Sequence, residues 1–214
     1  FTFNALIVFQ LLYILIQWIY HRRREYLQYL LYLVCIELYF GIRYELVYNI
    51  PILTGLLPGV NQYMSEVLLF LPYFFYLRFT RYYINMPELY PPVNKYVIRL
   101  EYLILLYIIP VFLFAILGFQ KLSTEVSLIF LTLIYLCTLW LIRFFYTRRD
   151  KLIRFVLVGS VFAATGHLLA MLSTYFWTKE VEPLFPPIYF TMTGIIFEIF
   201  FFNTGLGYKA MAEQ

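Results

Sequence analysis

The sequence predicts an all-α integral membrane protein, a bundle of seven transmembrane helices with its N-terminus outside the cell and its C-terminus in the cytoplasm. Three observations carry that expectation. Of the 214 residues, 63% are hydrophobic and only 13% charged, against roughly half and about a quarter in a soluble domain. The apolar residues fall into seven runs, each close to the ~20 residues a spanning helix needs. Thirteen of the sixteen Lys and Arg residues fall on one side, in alternate connections and the span ends beside them, the asymmetry that positive-inside insertion produces. Seven such helices take up most of the chain, so one domain with short loops is expected.

The first span is read over residues 2–20. It is too long and too uniformly apolar for a signal-peptide core, and it lacks a basic flank before it and a small-residue cleavage site. Because the chain opens on Phe1, already inside an apolar run, a fragment or a processed product is expected. His21 to Glu25 ends the first span, and the second covers residues 26–44. Asn49 to Gly59, with Pro51, Pro58 and two glycines, forms a loop, because these residues are poor helix formers. The third span, 62–80, contains Pro72, where a kink is expected. Arg81 to Lys95 reads as the longest polar connection, broken by Pro87, Pro91 and Pro92. The fourth span, 96–118, carries Pro110 and an expected bend. The fifth covers 125–145, and a basic loop through Arg148, Arg149 and Lys151 leads to the sixth at 152–177. Pro183, Pro186 and Pro187 mark a hairpin before the seventh, 188–206, and residues 207–214 read as the start of a cytoplasmic helix.

Orientation follows from the basic residues. Arg22–Arg24 follow span one. The side between spans three and four, with the span ends next to it, has Arg78, Arg81, Lys95 and Arg99. The side between five and six has Arg143, Arg148, Arg149, Lys151 and Arg154, and Lys209 follows seven. Only Arg43, Lys121 and Lys179 fall on the opposite side, which therefore faces outward. Trp18, Tyr20, Tyr82, Tyr83, Phe144 to Tyr146, Phe176 and Trp177 stand near span boundaries, as interfacial anchors would. Cys35 and Cys137 lie in apolar runs and read as small buried side chains rather than a disulfide.

Ionisable groups inside a bilayer are costly and need a partner, a proton or water. Glu37 in the second span, Glu66 in the third and Glu198 in the seventh meet that description, joined by His167 in the sixth and Asn203 near the inner end of the seventh. Each either sets helix packing or serves in sensing and switching. His167 reads as a hydrogen-bond donor between helices, and its small neighbours Gly166 and Ala170 permit close helix approach. Gly194 and Glu198 are four apart and share one helix face, suited to another helix more than to lipid.

The catalytic search is negative. His21 and His167 are too few and too separate for a histidine metal site, and there is no phosphate-binding glycine loop, zinc-protease motif or serine elbow. No catalytic, cofactor or metal residues are therefore expected. The basic side lies against a bilayer, which excludes nucleic acid as a partner of this domain. The seventh span holds no lysine, unlike that of a retinal-binding opsin.

Three stretches give the chain a resemblance. Tyr20-His21-Arg22-Arg23-Arg24-Glu25-Tyr26 opens a Tyr/Leu-rich second span running on to Tyr32. Tyr82 to Asn94 forms an inner connection rich in proline. Gly194 to Lys209 runs from a glycine–glutamate face to a Gly207-Tyr208-Lys209 end. In these the chain resembles the seven-transmembrane module of bacterial receptors that carry diverse intracellular signalling domains, over essentially its whole length. The resemblance implies a multi-pass protein of the bacterial inner membrane that relays an extracellular signal and is not itself an enzyme. It also implies an extracellular ligand-binding domain and a cytoplasmic output domain in the same polypeptide, the latter a histidine kinase of a two-component system, a diguanylate cyclase or similar. Membrane lipids and a second copy of the chain are the other partners expected. The family has no established catalytic residues here; Glu198 and Lys209 match its pattern without an assigned role. A small-solute transporter and a passive membrane anchor remain as alternatives.

Overall fold

The structure, a computed structural model, describes residues 2–48, 60–148, 150–176 and 186–212. These form seven long helices and one short one: α1 (Thr2–His21), α2 (Arg24–Tyr48), α3 (Val60–Tyr83), α4 (Met86–Leu89), α5 (Pro91–Ile116), α6 (Gln120–Tyr146), α7 (Lys151–Phe176) and α8 (Pro187–Ala212). By Cα packing the chain divides into two compact units, Phe1–Phe130 and Leu131–Gln214.

In the first unit, α2 packs against both α1 and α3, and α3 packs against α2 and α5. Ring contacts fix the antiparallel register. Phe3 meets Phe40 edge-on at 4.9 Å and His21 stacks on Tyr26 at 5.6 Å, while Tyr29 stacks on Phe79 at 4.9 Å. On the far side of α3, Phe70 contacts both Tyr107 and Phe130, which stack on each other at 3.7 Å. In the second unit α7 and α8 pair along their length.

Among the described residues, five helices are long and apolar enough to cross a membrane: α1, α5, α6, α7 and α8. α2 and α3 are more polar. α2 carries Arg24, Glu25, Glu37, Arg43 and Glu45. The physical reason lies in their neighbours, because helices flanked by protein on two sides can bury polar groups against it. Helices with one broad unpartnered face must keep that face apolar. α5 shows such a face in Tyr102, Leu106, Ile109 and Leu113, all at least half exposed.

Several boundaries differ from those expected. Arg81–Lys95 is mostly helical rather than an open connection, because α3 runs on to Tyr83, α4 follows, and α5 begins at Pro91. Pro91 and Pro92 do not break a helix. They occupy its first turn, where the missing N–H would have no partner anyway, and the first helical bond runs from Asn94 N–H to the Tyr90 carbonyl. Pro187 likewise opens α8. α3 and α5 continue through Pro72 and Pro110. α5 stops at Ile116, two residues short of the predicted end. There Gly118 takes φ 78°, a left-handed conformation suited to glycine, while Phe119 N–H reaches back to the Phe114 carbonyl. This six-to-one bond is a glycine-terminated helix end. At the start of α7, Asp150 accepts a hydrogen bond from Leu152 N–H at 2.8 Å, which caps the helix.

Tyr83 also departs from the expected interfacial position. It is 1% exposed and packs on Phe79, so it is a core residue and not an interfacial anchor. Tyr20 and Tyr146 are largely exposed. Cys35 and Cys137 are free thiols, the first buried and the second partly so. The expected loop Asn49–Gly59 and most of the hairpin before α8, with Trp177, lie outside the described residues.

Candidate functional site

The second unit holds a helix crossing built on glycine. A Cβ placed on Gly166 of α7 would stand 2.5 Å from the Phe190 carbonyl oxygen and 3.1 Å from Gly194 Cα. A Cβ on Gly194 of α8 would stand 2.7 Å from the Phe162 carbonyl oxygen and 3.2 Å from Gly166 Cα. Each glycine therefore lies where the other helix leaves no room for a side chain, the small-residue crossing expected when backbones pack closely in a bilayer. Two turns on, Gly159 faces the Phe202 ring.

Glu198 lies on this same face. Thr191, Gly194, Glu198, Phe202 and Gly205 repeat at helical spacing and are all buried, with Glu198 only 1% exposed. An acid so enclosed is the feature of this helix pair that apolar packing alone does not require. Lys209 falls on the same stripe, about 20° from Glu198 at 100° per residue, and Asn203 lies off it; both are half-buried. Beside the end of α8, Tyr208 packs near Phe155 at 6.0 Å and under the Lys151 ammonium at 5.6 Å.

His167 is on α7, next to the crossing. Its Nδ1–H donates to the Ala163 carbonyl at 2.8 Å, one turn back on its own helix. The expected bond to another helix is thus not the one this nitrogen makes.

Glu37 lies in the first unit, half-buried on the α2 face that meets α1, where the Asn4 amide donates to it. Glu66 falls within α3, its side chain outside the described residues. The candidates therefore divide between the two units: His167, Glu198, Asn203 and Lys209 gather on one helix pair, and Glu37 belongs to another. Among the described residues, no three His, Cys, Asp or Glu side chains come together in a way that could hold a metal.

Sequence reasoning missed Glu101. It is 6% exposed on α5, and Arg81 of α3 reaches it at 3.4 Å. The signal was present, since Glu101 falls inside the predicted fourth span. Around this ion pair, Arg81 lies over the Tyr82 ring at 5.3 Å and Arg24 of α2 at 6.0 Å. Burial pushes the Tyr82 phenol up. Hydrogen bonds from Arg78 and Arg81 and the charges of both guanidiniums outweigh it, so its pKa lies below the usual phenol value.

Residues 1–209 match the family described as 7TM diverse intracellular signalling. The chain belongs to this family. No curated protein and no solved structure matches it. The 7TM diverse intracellular signalling family is a bacterial transmembrane signalling module that links extracellular sensing to cytoplasmic output. The chain is accordingly a multi-pass protein of the bacterial inner membrane. Its role is signalling rather than catalysis.

Proposed function

We propose that the module crosses the membrane seven times, N-terminus out and C-terminus in, and relays its signal through α8. The five strongly apolar helices form one part of this reading. α2 and α3 complete it, their polar side chains turned toward protein neighbours. The basic ends of α1, α3, α6 and α8 face the cytoplasm under the positive-inside bias.

The observation that carries the relay is the continuity of α8. It runs unbroken from Pro187 to Ala212, past Lys209, and is clamped on α7 by backbone-to-backbone contact at Gly166 and Gly194. A change in that crossing displaces α8 as a rod, and the displacement passes to whatever follows Lys209. Glu198, inside the clamp, with His167 beside it and Glu37 in the α1–α2 pair, are the polar contacts proposed to differ between signalling states. Glu66 on α3, and Asn203 and Lys209 on α8, are secondary candidates. A ligand shifts such a two-state system only through differential binding. An extracellular ligand-binding domain would supply it, and a histidine kinase or diguanylate cyclase would be the output, working as a homodimer.

The experiment measures output of the intact receptor in cells, with and without stimulus, for Glu198→Gln and for a swap of residues 1–206 to an unrelated seven-helix anchor. Reporter fusions after Ala212 and within the 49–59 loop give sidedness. The reading expects loss of stimulus dependence in both variants, a cytoplasmic signal after Ala212 and an outer signal in the loop. Full regulation from the unrelated anchor would make the module a passive tether. Stimulus-independent solute flux through the module would make it a transporter.

A further inference from the structure

The contact between α1 and α2 contains two hydrogen-bond acceptors too many for an ionised carboxylate. The Asn4 amide donates one hydrogen bond to the Glu37 carboxyl group. Glu37 Oε2 and Asn4 Oδ1 are then both enclosed, and among the described residues neither has a hydrogen-bond partner. A carboxylate has only acceptors to offer, and the remaining oxygen of an amide is an acceptor as well. With Glu37 ionised, both oxygens stay unsatisfied in apolar surroundings, which is costly, and a bare charge is held in the bilayer interior.

A single hydrogen on Glu37 Oε2 removes both deficits. The O–H donates to Asn4 Oδ1 while the Asn4 N–H stays on Glu37 Oε1, and acid and amide close a cyclic pair with two bonds. The opposite assignment of the Asn4 oxygen and nitrogen sets two acceptor oxygens against each other and needs the same hydrogen. We propose that Glu37 and Asn4 form a proton-binding site, with Glu37 a neutral carboxylic acid while α1 and α2 are packed and losing its proton to water when they part. No co-reactant is involved: the proton leaves the carboxyl oxygen, and the charge it leaves behind requires hydration.

The surroundings suit a proton rather than an ion pair. On the α1 side Asn4 is flanked by Phe3 and Ile7, both buried. α3 meets α2 on another face, through Tyr29 and Tyr32. On α2 itself the titratable groups nearest in sequence are Cys35, which is buried, and half-buried Tyr39, with Tyr44 and buried Glu45 two turns farther on, and the Arg43 guanidinium lies over the Tyr39 ring at 5.4 Å. Glu66 of α3 has its side chain outside the described residues. Two oxygens are also too few for sodium, which as a hard cation wants several oxygen ligands. Glu37 lies thirteen residues beyond Arg24 along α2, about 20 Å from the basic end. Eleven more residues separate it from Tyr48, so it stands near the middle of the helix, far from water at either end.

The test is infrared difference spectroscopy of the full chain in lipid bilayers at neutral pH, comparing wild type with Glu37→Gln and Asn4→Leu. Gln keeps both a donor and an acceptor, so Glu37→Gln preserves the pairing without the acid. The expected result is a carboxylic-acid C=O band that shifts in heavy water and vanishes in Glu37→Gln. In Asn4→Leu it should move to higher frequency, because its hydrogen-bond partner is gone. Carboxylate bands lost in Glu37→Gln in place of an acid band would overturn the proposal, as would an acid band unmoved by Asn4→Leu. An acid band seen only after sodium is removed would also overturn it, and would assign the two oxygens to a metal cation. None of these readings involves receptor output, so they stand apart from the relay reading.

Discussion

Alanine at Gly166 should separate the α7–α8 pair, and its cost can be worked from the crossing. The new Cβ would stand 2.5 Å from the Phe190 carbonyl oxygen and 3.3 Å from Gly194 N, where ordinary contact begins at 3.4 Å. The helices must part by about 0.9 Å at that point to make room. Both obstacles are backbone, so no side chain can swing aside to relieve them. Overpacking of this kind costs about 1–3 kcal/mol. Gly207→Ala is the internal control, since a Cβ there meets nothing within 4 Å. Both substitutions gain the same helix propensity, at most about 1 kcal/mol, which cancels between them. The steric term therefore remains as the difference, roughly 5- to 150-fold in the folding equilibrium. Denaturant titration of the purified chain in mixed micelles, followed by circular dichroism, measures it. If Gly166→Ala and Gly207→Ala unfold within about 0.5 kcal/mol of each other, the crossing is not the close contact described, and the clamp on α8 falls with it.

Three further outcomes follow from other contacts. Gly159→Ala should cost less than Gly166→Ala in the same titration. Its Cβ would meet the Phe202 ring at 2.8 Å, and a ring can turn where a carbonyl cannot; equal costs would show that Phe202 is locked. Glu101→Gln should destabilise by about 3–5 kcal/mol by leaving the buried Arg81 charge without its carboxylate, and the pair Arg81→Met with Glu101→Leu should recover most of that loss. A double variant no more stable than Glu101→Gln would deny the pairing. Tyr82, whose phenol lies below its ordinary value despite burial, should be among the first tyrosines to ionise in an alkaline absorbance titration, and Tyr82→Phe should delete that early step. Because the folded value is the depressed one, this contribution to stability is fully present above the unfolded value of about 10 and is lost as pH falls through the folded value. An unchanged early titration in Tyr82→Phe would refute it.

The parts of the fold legible in the sequence are those written locally. Five apolar runs of spanning length announce their helices, and basic residues between runs mark where helices end. The α7–α8 crossing was also legible, because Gly166 and the Gly194–Glu198 spacing place small residues and an acid on defined faces. What was not legible depended on which helix lies beside which. Arg81 read as a connection residue because a guanidinium near a span end suits water. Only α5, bringing Glu101 alongside, turns it inward. Pro91 and Pro92 read as breakers because proline is incompatible with a helix interior but indifferent to its first turn, and sequence alone does not set the turn. The Asn4–Glu37 pairing joins residues 33 apart, and nothing local in either stretch specifies the partner.

The polarity of α2 has a consequence for biogenesis. An ionisable residue at the centre of a helix raises its apparent insertion free energy, by about 2.5–3.5 kcal/mol for aspartate or a basic residue, so a segment carrying Glu37 without its Asn4 partner is a poor candidate for entering the bilayer by itself. α1 is strongly apolar, and only Arg22 and Arg23 separate the two helices, so both can leave the translocon as one hairpin, Asn4 already opposite Glu37. The first helix thereby acts as an insertion chaperone for the second. Exchanging α1 for an equally apolar but unrelated segment should strand α2 outside the membrane, even though the hydrophobicity of the chain is unchanged.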